Sequence, residues 1–209
     1  MSSIRRSATS TALWLGVSSC ALLGKGEALS PRYFSPDLSA ARAPAPASAP
    51  RESIAAAELR LGRITAASYL GDRIVFRDSN YELNFYEDRR WTEKPEIYLR
   101  RALSRSFFEE RGLHRIVSGA GPTLEVELTE LAELRLATPV ARVRATYILY
   151  DNRLVRRETS VTVELPIVVG SQERESPPAA VRVMSDALNS AVQRIVDQVV
   201  ADLGARHPG

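Results

Sequence analysis

The sequence predicts a two-layer α+β domain, a mainly antiparallel sheet with a middle helix and a long C-terminal helix on one face. Two observations carry this. Residues 124–165 alternate apolar and polar side chains with period two, whereas residues 95–111 and 177–204 repeat their apolar side chains with a helical period.

Ahead of that pattern, Met1 to Ser10 carry Arg5 and Arg6 and no acid, and Thr11 to Val17 form a short apolar run. This is the layout of a signal peptide; the run falls well short of the roughly 20 apolar residues that cross a bilayer. It ends in Val17-Ser18-Ser19-Cys20, an aliphatic residue, two small ones and the chain's single cysteine. Small residues let the peptide lie in a narrow protease groove, and the thiol is the strong nucleophile there. The pattern resembles the lipobox of bacterial lipoproteins, which implies acylation of Cys20 and a leader of residues 1–19. General secretion is the expected route. Ala21, where enteric bacteria place an inner-membrane retention aspartate, favours the outer membrane.

Residues 20–53 read as a lipid-anchored tether, because the Ala-Pro alternation of Ala43 to Pro50 removes backbone donors and offers nothing to bury. Within it Tyr33-Phe34 stands out as an aromatic pair able to dock on the domain or on a partner. The domain itself is expected over residues 54–205, followed by a tail at 206–209.

Leu59, Leu61 and Ile64 open a first strand. Arg73–Arg77 and Tyr81–Tyr86 form two more around a turn at Asp78-Ser79-Asn80. A middle helix starts at Pro95 and stops at Gly112, with Leu99, Leu103 and Phe107 on one stripe. Leu124, Val126 and Leu128, then Ala141 to Leu149, then Val161, Val163 and Leu165 mark three long strands, the last two joined at Asp151-Asn152-Arg153. Glu125 and Glu127 fall on the polar side and are expected to face Arg142 and Arg144 across the hairpin. Ser176 and Pro177 suit the start of the last helix, whose stripe runs through Met184, Leu188, Ala191, Ile195, Val199 and Leu203 to Gly204.

Composition narrows the function. Lys+Arg of 28 against Asp+Glu of 25 leaves +3, two of them in the leader, and arginines alternate with glutamates along the chain. A nucleic-acid binder concentrates its cations, so none is expected as a partner. One cysteine and two distant histidines, His114 and His207, give no metal-ligand set. No serine sits in a nucleophile elbow, and no Gly-rich loop precedes Lys-Ser/Thr. The expectation is a protein that is not an enzyme and uses no cofactor.

The lipobox, Tyr33-Phe34, Tyr69-Leu70, the strand Arg73-Ile74-Val75-Phe76-Arg77 and the segment Tyr86-Glu87-Asp88-Arg89-Arg90-Trp91-Thr92-Glu93-Lys94-Pro95 occur in an order that resembles a known family. It is that of the auxiliary lipoproteins of ABC-type lipid transport systems, which work with mammalian-cell-entry (MCE) proteins. The resemblance covers nearly the whole mature chain, and the long Ala-Pro segment departs from it. It implies a non-catalytic, periplasm-facing outer-membrane lipoprotein that docks a lipid-conducting assembly. The implied partners are an MCE-domain protein with its permease and ATPase, outer-membrane lipid around acylated Cys20, a transported phospholipid and other copies of the chain. A second reading is an outer-membrane assembly lipoprotein, acting in lipopolysaccharide insertion or a Tol-like complex.

Trp91, Arg89, Arg90 and Glu93 stand at a loop-to-helix junction of the kind that anchors interfaces, and together with Tyr33 and Phe34 they are the candidate partner-binding residues. Packing of Trp91 as a lid over the sheet is the competing expectation.

Overall fold

The structure, a computed structural model, describes residues 30–37, 57–79, 81–168 and 178–205. Cys20, the Ala-Pro stretch, Asn80 and the cap at Ser176-Pro177 lie outside the described residues.

The strands are β1 Arg32–Phe34, β2 Glu58–Ala66, β3 Arg73–Arg77, β4 Asn84–Trp91, β5 His114–Arg115, β6 Thr123–Leu134, β7 Val140–Asp151 and β8 Leu154–Pro166; the helices are α1 Pro95–Ser104 and α2 Ala179–Gly204. The fold is α+β, with a mostly antiparallel open sheet, one short helix and one long C-terminal helix.

β6 organises the sheet. Along one edge β7 pairs with it antiparallel from Thr123↔Tyr150 to Leu134↔Val140, and β8 continues the meander. Along its other edge two strands follow in succession, both parallel: β2 beside Thr123–Leu128, then β3 beside Ala132–Leu134. Between them the chain loops out through residues 67–72, pinned where Ala67 N–H donates to Leu128 C=O (2.9 Å) and the Tyr69 hydroxyl to Thr129 C=O (2.7 Å). From this branch β5 lies outside β2, and β4 then β1 lie outside β3.

The period-two pattern does what it predicts. Ala141, Val143, Ala145, Tyr147 and Leu149 of β7 are all fully buried under α2 together with the whole expected helix stripe, while Arg144 faces solvent. Burial of this apolar face is the main stabilising term, at about 25 cal/mol per Å² removed from water. Polar ties fix how α2 sits: the Tyr147 hydroxyl donates to Gln198 Oε1 (2.9 Å), Arg157 meets Asp202 (2.5 Å) and Arg194 donates to Thr162 C=O (3.0 Å).

Several elements differ from expectation. The strand expected at Tyr81–Tyr86 begins at Asn84 because Ser79 Oγ accepts from the amides of Tyr81 (3.3 Å) and Glu82 (3.1 Å), extending the turn and leaving Tyr81 exposed. The middle helix is α-helical only to Ser104; Arg105–Glu110 is π-helical, closing with Arg111 N–H to Ser106 C=O (3.0 Å). The wider turn buries Ser106 and Phe107 side by side. Gly112 takes φ +73, the left-handed geometry that ends the element.

The glutamate–arginine pairing is also corrected. Glu127 faces Thr146 and Glu125 faces Ile148, and a β-bulge between Leu128 and Glu130 then shifts the register. Glu130, not Glu127, stands opposite Arg144, and Arg142 pairs with Glu164 (2.6 Å) and Glu130 (4.0 Å). Glu125 instead meets Arg63 (3.6 Å).

The expected tether of residues 20–53 holds a strand. Arg32–Phe34 pairs in parallel with Arg89–Trp91, and Asn189 of α2 donates to Asp37 C=O (2.9 Å). Phe34 is only 8% exposed, so the segment buries apolar area that a tether lacks.

Candidate functional site

The candidate residues gather at the outer strands β1 and β4. Successive side chains of β4 point to opposite faces, so Arg90 and its neighbours Arg89 and Trp91 are sent to different environments. Trp91 is 2% exposed, with its ring edge-on to Tyr98 of α1 at 6.4 Å between centroids. Its amide donates to Asp72 C=O (2.6 Å). Of the two expectations for Trp91, packing and partner contact, its burial accords with packing: Pro95 starts α1 soon after β4, and the helix folds back over Trp91 and seals it in the core. The Tyr98 hydroxyl, accepting from the Glu93 amide (2.8 Å) and within 2.6 Å of Thr92 Oγ1, fastens that corner.

Phe34 sits opposite Trp91 in the β1–β4 register and is likewise buried. Tyr33 is its reverse, 62% exposed, in register with Arg90. Arg90 donates to Tyr86 C=O (3.2 Å) and lies 3.7 Å from Asp72. Arg89 stacks over the Tyr86 ring at 4.0 Å. Glu93 holds Arg101 of α1 in a two-pronged pair (2.8 and 2.9 Å). Of the six docking candidates, then, Tyr33 is open, Arg89, Arg90 and Glu93 are partly covered, and Trp91 and Phe34 are core.

Sequence reasoning missed a cluster beside them. The Arg135 guanidinium lies over Phe76 (3.6 Å) and Tyr86 (4.7 Å), and the Tyr86 hydroxyl donates to the buried Glu133 carboxylate. Phe76 and Tyr86 pack at 4.9 Å. Arg73 lies over Phe85 at 4.1 Å, extending the arginine–aromatic pattern. The signal in the sequence was the joint presence of arginine and aromatic residues in β3 and β4, but their meeting with Glu133 and Arg135 depends on a register that β6 sets.

Burial, then the bond to Glu133, pushes the Tyr86 hydroxyl pKa above its ordinary value. The sign follows: near about pH 10 the unfolded chain sheds this proton while the folded one keeps it, so stability is intact below that range and falls as pH rises through it. Tyr86→Phe is expected to flatten the alkaline decline. Urea unfolding from about pH 9 to pH 11 checks this, and an unchanged slope in the variant would remove Tyr86 as its source.

This corner gathers aromatic and charged side chains. Among the described residues no group of three or more His, Cys, Asp or Glu could hold a metal ion, and no helix is long and apolar enough to cross a membrane.

The sheet exposes one face, carries helices on the other and ends in an arginine–aromatic edge. The chain belongs to the family of ABC-type transport auxiliary lipoprotein components, whose model matches residues 38–196. Among curated proteins none matches the sequence. The fold is similar to that of a crystallised protein from Xanthomonas campestris at 17% identity and TM-score 0.68, covering 82% of this chain and 96% of that one. It is also similar to a hypothetical protein from Chlamydia trachomatis at 8% identity and TM-score 0.51, covering 72% and 99%.

Proposed function

We propose that this chain is the non-catalytic lipoprotein of an ABC-type lipid transport system. In this reading acylated Cys20 holds it in the outer membrane facing the periplasm, and the β1–β4 edge meets an MCE-domain protein and, through it, the permease and ATPase. The observation that carries the docking surface is Tyr33: a large aromatic side chain, 62% exposed, on the outermost strand and in register with Arg90. An exposed aromatic flanked by arginine is the composition of interface hot spots. Family membership supports the transport setting.

Purification of the chain from native membranes tests it. Tyr33→Ala and the double charge reversal Arg89→Glu with Arg90→Glu are expected to lower co-purification of transporter subunits by about tenfold, the effect of roughly 1.4 kcal/mol. Thermal stability is measured alongside, because both arginines also make contacts within the fold. Recovery of transporter subunits at wild-type levels would place docking elsewhere. Co-purification of an outer-membrane barrel in their stead would favour the assembly-lipoprotein reading.

A further inference from the structure

On the other flank of α1 a cleft of about 500 Å³ opens between that helix, β2 and the chain following β5. The spacing of Ile97, Arg100, Arg101 and Ser104 puts all four on one helix face, directed toward it. Three of the arginines around it, Arg60, Arg100 and Arg115, are held by neutral partners: Gly119 C=O (2.5 Å), Gly62 C=O (2.9 Å) and Ser104 Oγ (2.6 Å). Arg115 also lies over the Phe108 ring at 4.1 Å. Among the described residues only Arg101 of these carries a counter-charge, from Glu93. Among the described residues no carboxylate lines the cleft, and Arg60 Nε is buried without a hydrogen-bond partner.

Guanidinium groups oriented this way by backbone carbonyls keep further N–H donors free in a planar fork that suits phosphate. The remainder of the lining is apolar. Leu61 and Ile116 form part of the wall, and Ile116 is fixed against Gly121, where even a Cβ would come within 2.4 Å of its side chain. Ile97 and Val117 stand at the lip, 42% and 86% exposed. An uncompensated cationic cleft beside protruding aliphatic side chains is complementary to an anion that carries its own apolar part.

We propose that this cleft binds the phosphate headgroup of an anionic phospholipid, with Arg60, Arg100 and Arg115 on the phosphate and Ile97 and Val117 against the first methylenes of its chains. The volume matches a headgroup with the start of its chains and lies within the range of small-molecule sites. The site gives the phospholipid of the proposed function a place on this chain. It rests on that reading for its role and not for its chemistry, so binding to purified protein and capture of transporter subunits fail independently.

The test is calorimetric titration of the full chain bearing Cys20→Ala with dihexanoyl phosphatidylglycerol below its micelle concentration, compared with dihexanoyl phosphatidylcholine and inorganic phosphate. The expected result is binding of phosphatidylglycerol at least about tenfold tighter than either comparison, lost by about tenfold or more in Arg60→Gln/Arg100→Gln/Arg115→Gln. The surface variant Ile97→Ser/Val117→Ser, at two exposed positions, is expected to weaken phosphatidylglycerol and leave phosphate unaffected. Equal affinity for phosphate would make the cleft a site for free anions, and equal affinity for phosphatidylcholine would make it a plain apolar groove. Binding of a glutamate-rich peptide with no binding of phosphatidylglycerol would assign it to an acidic protein segment. Each of these three results, like the absence of any binding, overturns the proposal.

Discussion

Trp91→Ala is expected to lower stability by about 3–5 kcal/mol, the range for deleting a fully buried aromatic side chain. The magnitude follows from its position: Trp91 is 2% exposed, meets the Tyr98 ring and is opposite Phe34 in the β1–β4 register. Removing the ring leaves a cavity where β1, β4 and α1 converge, and relaxation is limited because the backbone there is fixed by Thr92 N–H to Phe34 C=O (2.9 Å) and Trp91 N–H to Asp72 C=O (2.6 Å). Urea unfolding gives the number, with Trp91→Phe retaining part of the loss. A change below about 1 kcal/mol would contradict a core role. Folded Trp91→Ala protein is expected to keep its partner affinity, since the indole presents almost no surface to a partner.

The second large effect concerns attachment. Cys20→Ala is expected to move the protein from the membrane to the soluble fraction, because each buried methylene of an acyl chain contributes about 0.8 kcal/mol and two or more chains make release negligible. Fractionation of variant and wild type, with labelled fatty acid fed to the cells, measures it. Absence of label on the wild type, or membrane recovery of the variant at wild-type levels, would refute the anchor.

How much of this was legible depends on the range of each interaction. The meander β6–β7–β8 and the stripe of α2 rest on local periodicity, so Ala141 to Leu149 and Met184 to Leu203 could be placed from their spacing. β1 could not be, since Arg32–Phe34 is too short to show a period and pairs with residues far along the chain. Trp91 could be read both ways for the same reason: beside Arg89, Arg90, Glu93 and Lys94 it suits an interface, before Pro95 it suits a lid, and the immediate turn into α1 encloses it. The bulge at Thr129 is equally silent in sequence, yet by skipping Thr129 it puts Glu130 opposite Arg144 directly after Leu128 opposite Ala145. The arginines of the cleft were visible one by one; their convergence needed β2, α1 and β5 in place.

The parallel pairing of β1 would have a mechanical consequence for the chain anchored, as proposed, at Cys20. While Arg32–Phe34 is zipped to β4, the leash ends at Arg32 and can reach no more than about 40 Å from the acylated cysteine, at roughly 3.5 Å per residue. Were β1 peeled away, the leash would run to Glu58 and its limit would rise to about 130 Å. Three residues of edge strand, the Phe34 ring and the clip from Asn189 to Asp37 are what must yield under tension. In the proposed anchored chain these contacts would set the height at which the domain stands above its membrane.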